Sequence, residues 1–170
     1  MNHPARLRIC DRCLKEPVMQ TYKTVGDIIG FLEAYHRQLK EFYRKNQDTV
    51  NSERVKMLLA YTSRHEKNIQ DVLENISEKD RDIILKTWVQ FIPFTETVLT
   101  ENQWEDPEED LDSVVQQVFE LDDNLIRFYD KMIHQSGIPA PVQEFFQHLI
   151  FLEEREKAQI AQAAQQIKDF

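Results

Sequence analysis

One helical pattern, written twice, limits what this chain can fold into more than any other feature. The first copy reads Ala34-Tyr-His-Arg-Gln-Leu-Lys-Glu-Phe-Tyr-Arg-Lys45. The second reads Glu120-Leu-Asp-Asp-Asn-Leu-Ile-Arg-Phe-Tyr-Asp-Lys131, about half a chain later. Leu39, Phe42, Tyr43 and Lys45 coincide with Leu125, Phe128, Tyr129 and Lys131 at a constant offset. A repeated amphipathic helix implies a repeated helical unit whose apolar stripes face one another.

The surrounding periodicity completes each unit as a helical hairpin. From Val25 to about Asp48, apolar side chains at Ile28, Leu32, Tyr35, Leu39, Phe42 and Tyr43 keep the 3–4 spacing of one buried face. Asn51 or Ser52 can cap a second helix that buries Val55, Leu58, Leu59, Thr62, Ile69, Val72 and Ile76. A long connection follows. It holds a short helix, Ile83 to Phe91, behind a Ser77/Asp80 capping pair, then Pro93 and the acidic loop Trp104-Glu-Asp-Pro-Glu-Glu-Asp110. The third long helix, about Asp112 to Gln135, buries Val114, Val118, Leu121, Leu125, Phe128, Tyr129 and Met132. Gly137-Ile-Pro-Ala-Pro141 stops it and starts a fourth, running to about Lys168 with Phe145, Leu149, Leu152, Ile160, Ala163 and Ile167 inward. Two hairpins joined by a long crossover make an all-α four-helix bundle over residues 25–170, preceded by an arm over residues 1–24.

Composition agrees and excludes several classes of function. Three glycines, six prolines and 30% charged residues in 170 suit one helical domain. The net charge of -9 sets binding to a phosphate backbone against repulsion, so no nucleic-acid partner is expected. No run approaches the ~20 apolar residues of a spanning helix, and Met1 to Pro17 carries Arg6, Arg8, Arg12 and Lys15 without an apolar stretch behind them. With only two cysteines the expectation is a cytoplasmic protein with no membrane partner.

The two copies of Leu-x-x-Phe-Tyr, each followed by a helix rich in Glu and Lys, resemble the rubrerythrin-like branch of the ferritin-like superfamily. The resemblance covers about Val25 to Ala164. It implies a di-iron site in which the first helix of each pair supplies a Glu seven residues before the Tyr and the second supplies Glu-x-x-His. Here the first-helix positions fall on His36 and Asp122, both able to ligate but neither a Glu. The second helix offers His65-Glu66-Lys67-Asn68, and a strict match on the fourth would set Lys157 where the family has its His. A lysine ammonium must lose its proton before it can ligate. By that pattern the di-iron site is degenerate.

Helical spacing nonetheless turns ionisable residues inward from all four helices. His36 lies between Leu32 and Leu39, His65 or Glu66 between Thr62 and Ile69, Asp122 between Val118 and Leu125, and Glu153 and Glu156 between Leu149 and Ile160. Buried charges must pair or hold an ion, so these residues form either a salt-bridged polar core or a site for iron or manganese. Tyr43 and Tyr129, at equivalent places, read as core aromatics whose hydroxyls need partners. Tyr61 reads as crossover packing. Separately, Cys10-Asp-Arg-Cys13 is half a zinc site, a redox dithiol, or two ordinary thiols.

The leading expectation is a ferritin-like bundle with a degenerate metal site, no bound cofactor and no catalysis, acting through contacts with an unidentified protein partner. Phe91, Phe94, Trp104, Phe145 and Phe146 suit a homodimer. The competing expectation is an iron or manganese protein with redox or peroxide-related chemistry, using His36, His65, Glu66, Asp122, Glu153 and Glu156 as ligands. The third is a thiol or zinc sensor built on Cys10 and Cys13.

Overall fold

The computed structural model of the chain describes residues 21–91 and 111–168. Strand β1 (Thr21–Thr24) leads into helix α1 (Val25–Thr49). Helix α2 (Glu53–Glu74), helix α3 (Glu78–Lys86) and strand β2 (Trp88–Phe91) follow, then helices α4 (Leu111–Ile133) and α5 (Ala140–Lys168). Apart from the one two-stranded ribbon, the described chain is all-α. The Cys10/Cys13 pair, Pro93, Phe94, Trp104 and the acidic stretch up to Asp110 lie outside the described residues.

Local chemistry accounts for where the helices start and stop. At the head of α1 the Thr24 hydroxyl accepts from Asp27 N at 3.1 Å. The Asp27 carboxylate accepts from Thr24 N at 3.0 Å, closing a reciprocal capping box. Ser52 caps α2 by accepting from Val55 N at 3.4 Å. After α4, Gly137 turns the chain at φ +76°, a conformation that costs a Cβ-bearing residue about 1 kcal/mol. The Pro139 carbonyl then accepts from Val142 N and Gln143 N to open α5. Ser77 precedes α3 but makes no side-chain cap.

The connection between hairpins departs from the expected helix over Ile83 to Phe91. The helix begins earlier, at Glu78, and ends at Lys86, while Trp88–Phe91 is a strand antiparallel to β1. Thr21–Thr24 therefore belongs to this ribbon rather than to an irregular arm. The register pairs Tyr22 with Gln90, Lys23 with Val89 and Thr24 with Trp88. Val89 faces the core, whereas Tyr22 and Trp88 stand outward, 60% and 68% exposed. The Gln135 side-chain amide reaches the free edge of β2, accepting from Gln90 N and donating to Gln90 O, each at 2.8 Å. Val25 N donates to Thr87 O at 2.8 Å, and Gly26 lets α1 approach α3 so closely that a Cβ there would lie 3.0 Å from Leu85 O.

The four long helices enclose one core. Every residue expected on the inner face of α4 is buried, and the repeated Leu39, Tyr43, Leu125 and Tyr129 are fully so. Phe42 is half-buried while Phe128 is buried. The inner face of α5 differs from expectation. It runs through Val142, Phe146, Leu149, Glu153, Glu156, Ile160 and Ala164, with Phe145, Leu152 and Ala163 at its margin. Two of these core positions are carboxylates, so an apolar count along α5 favours the neighbouring face.

A candidate carboxylate–imidazole centre in the core

Six ionisable residues meet inside this core: His36 from α1, His65 and Glu66 from α2, Asp122 from α4, and Glu153 and Glu156 from α5. None is more than 6% exposed. Each takes a place in its helix's apolar repeat. The packing that buries Leu32, Leu39, Ile69, Leu125 and Leu149 therefore carries these residues inward as well.

They form two linked groups. In the first, His36 Nδ1 lies 2.6 Å from Glu66 Oε2 and its Nε2 lies 3.0 Å from the Tyr129 hydroxyl. An Nδ1–H donating to Glu66, with Nε2 accepting from the phenol, satisfies all three groups. Burial, followed by the charges of Glu153 and Glu66, pushes the Tyr129 phenol well above its ordinary pKa, so it keeps the proton it donates. In the second group the His65 ring sits between two carboxylates, with Nε2 at 2.9 Å from Glu153 Oε2 and Nδ1 at 3.3 Å from Glu156 Oε2. Burial alone would lower the His65 pKa. The hydrogen bond and charge of Glu153, with Glu66 and Glu156 behind it, outweigh burial and raise it to about 9. His65 is therefore an imidazolium at neutral pH, clamped at both nitrogens.

Asp122 feels the charges of both groups. Burial and then the charges of Glu153 and Glu66 raise its pKa well above the carboxylate range, against a smaller pull from His65. Burial likewise raises Glu156. Asp122 Oδ2, Glu153 Oε1 and Glu156 Oε1 are buried without a hydrogen-bond partner among the described residues. Four carboxylates face two imidazoles, so acidic groups outnumber basic ones in this buried cluster.

All six residues singled out in the bundle are thus brought together. Elsewhere on α5, Glu154 is exposed, and Lys157 forms an ion pair with Asp123 at the bundle surface. On α5 the buried polar pair is Glu153-x-x-Glu156, and on α2 Thr62 and His65 are buried at the same i, i+3 spacing. The Thr62 hydroxyl donates to Leu58 O at 2.7 Å. Tyr129, expected as a core aromatic whose hydroxyl needs a partner, meets His36; Tyr61, expected in crossover packing, instead reaches α5, 2.7 Å from Gln159 Oε1 and 3.5 Å from Glu156 Oε2. Tyr61 falls one turn before His65, the spacing that could have pointed to it.

As they stand, imidazoles and carboxylates pair with each other. Among the described residues no three His, Cys, Asp or Glu side chains are arranged to hold a metal ion. No protein-family model, curated protein or solved structure matches the chain.

Proposed function

We propose that this protein is a ferritin-like bundle that binds a divalent transition metal, iron or manganese, through its buried carboxylates and imidazoles. The observation that carries the reading is the uncompensated acid in the core. Three carboxylate oxygens are buried without partners among the described residues, and burial, then the charges of Glu153 and Glu66, push the Asp122 pKa up. A polar core kept only for packing gains nothing from surplus carboxylates, whereas a cation would balance them. Carboxylate oxygen and imidazole nitrogen, with no thiolate among them, suit iron and manganese. His36, His65, Glu66, Asp122, Glu153 and Glu156 would hold the ion, and to ligate, His65 must give up a proton and its clamp. Tyr129 fixes the His36 ring. A bound iron or manganese would supply Lewis acidity and a redox couple.

The test is metal analysis of protein expressed with added iron and manganese, repeated on a His36→Ala/Asp122→Ala variant. About one or two metal ions per chain, absent from the variant, is the expected result. A metal-free wild type, or equal metal in both proteins, overturns it.

A second reading, action through protein contacts, is favoured by the outward pair Tyr22 and Trp88 on one face of the ribbon. Exposed aromatics of this size suit an interface with a second copy of the chain. Light scattering on wild type and Trp88→Ala tests it: a dimer that the variant loses supports the contact, and a monomeric wild type removes it.

A further inference from the structure

A cleft of about 390 Å3 lies where the end of α2, helix α3 and the start of α5 meet, and none of the six core residues lines it. Val72, Ile76, Ile84, Pro141 and Phe145 give it apolar walls. Val72, Pro141 and Phe145 are only half-buried, so apolar surface stays in contact with water there. The polar lining is one-sided. Asp71, Asp80 and Glu144 supply three carboxylates, and no Lys or Arg lines the cleft. Among the described residues Asp71 pairs with Lys67 at 2.9 Å, while Asp80 and Glu144 have no ion-pair partner. Helix ends explain only one of the three acids. Asp80 stands in the first turn of α3, where the dipole favours an acid. Glu144 lies beyond the first turn of α5. Asp71 lies in the last turn of α2, where the dipole favours a cation and no basic residue is present.

We propose that this cleft binds a small organic ammonium ion, a primary amine on an apolar body, with Asp80 and Glu144 holding its charge and Phe145 packing against the body. The volume falls within the ~300–1,000 Å3 of small-molecule sites. At ~30 Å3 per water it holds about a dozen waters, and so a molecule of about that many heavy atoms. A lysine side chain from a partner protein brings about five heavy atoms and would leave more than half of the cleft empty, so a free molecule fits better than a docked peptide. The apolar walls favour any body of the right size. The carboxylates then select among bodies by charge, attracting an ammonium, leaving an alcohol indifferent and repelling another carboxylate. Charges at an open rim contribute modestly, so the selection is several-fold rather than absolute.

The experiment titrates the full chain at pH 7 with phenylbutylamine, phenylbutanol and phenylbutyrate, which share one apolar body and carry a positive, no and a negative charge. Calorimetry should find the amine tightest, the alcohol about threefold to fivefold weaker and the acid weaker again by a similar factor. Raising the salt to about 0.5 M should bring the amine close to the alcohol. An Asp80→Asn/Glu144→Gln variant should lose the preference for the amine while its Kd for the alcohol stays within about twofold of wild type. Ser77 is exposed, lines the cleft and makes no side-chain cap, so Ser77→Trp should fill the cleft and weaken all three ligands by about tenfold or more. Equal binding of amine and alcohol to wild type overturns the assignment of a cation. A preference for the amine that survives the double variant overturns the role of Asp80 and Glu144. No binding of any of the three, or binding that Ser77→Trp leaves intact, overturns the cleft as the site.

Discussion

At the scale of the residue, Asp122 carries the most information. It takes the place in the second helical repeat that His36 takes in the first, and both are buried. His36 has partners on both nitrogens, while Asp122 keeps an oxygen with none. Asn reproduces the shape of the neutral acid, so metal-free Asp122→Asn should be at least as stable as wild type at pH 7, with its advantage growing as pH rises. It should also lose the metal. Urea unfolding and metal analysis of the same preparations decide this, and an Asn variant markedly less stable at pH 8 would refute the account of Asp122. The positions of His36, Asp122, Glu153 and Glu156 were legible because helical spacing alone turns them inward. The pairings were not legible. Which carboxylate meets which imidazole depends on the relative height of four helices, and no single helix encodes that. Tyr129 as the partner of His36 is such a long-range contact.

At the scale of the element, helix ends were the easiest to read because their signals are local. Ser52, Gly137 and the Pro139/Pro141 pair act within one turn. The ribbon was harder to see. Trp88-Val89-Gln90-Phe91 is four residues long, and its partner Thr21–Thr24 lies beyond two whole helices. A short apolar run of this kind fits a helix end as well as a strand until its neighbour is known. On α5 the apolar count took in Phe145, Leu152 and Ala163, which lie at the margin of the inner face that Leu149, Glu153, Glu156 and Ile160 form. Two substitutions test how the connection is held. Gln135→Ala leaves Gln90 N–H and C=O without their partner and should cost about 1 to 2 kcal/mol. Gly26→Ala places a methyl 3.0 Å from a backbone oxygen of α3 and should cost about 1 to 3 kcal/mol, because backbone must move. Thermal unfolding measures both. If Gln135→Ala is neutral, the amide does not secure the ribbon.

At the scale of the whole molecule, the core groups couple stability to pH and to metal. The His65 pKa rises from 6.5 to about 9 on folding, so the stability it contributes is complete below about pH 6.5 and is lost as pH rises through about 9. That contribution is up to about 3 kcal/mol. Asp122 and Glu156 are also raised, and their shifts act with the same sign. Metal-free protein should therefore lose stability between pH 6 and pH 9. Metal-loaded protein should show the reverse over that range, since the ion competes with those same protons and binds more tightly as they leave. Calorimetric Tm values for both forms test this, and parallel pH profiles would count against a cation in the core.

One further consequence lies in the Gln135 amide. A two-stranded ribbon normally leaves outer rows of backbone groups to which another chain can add a strand. Here the Gln135 side chain, from the turn just after α4, pairs with Gln90 on the outer row of β2, matching it donor for acceptor. Helical proteins seldom need protection against strand addition. This one carries a short strand with an exposed tryptophan, and it closes that edge with a single glutamine.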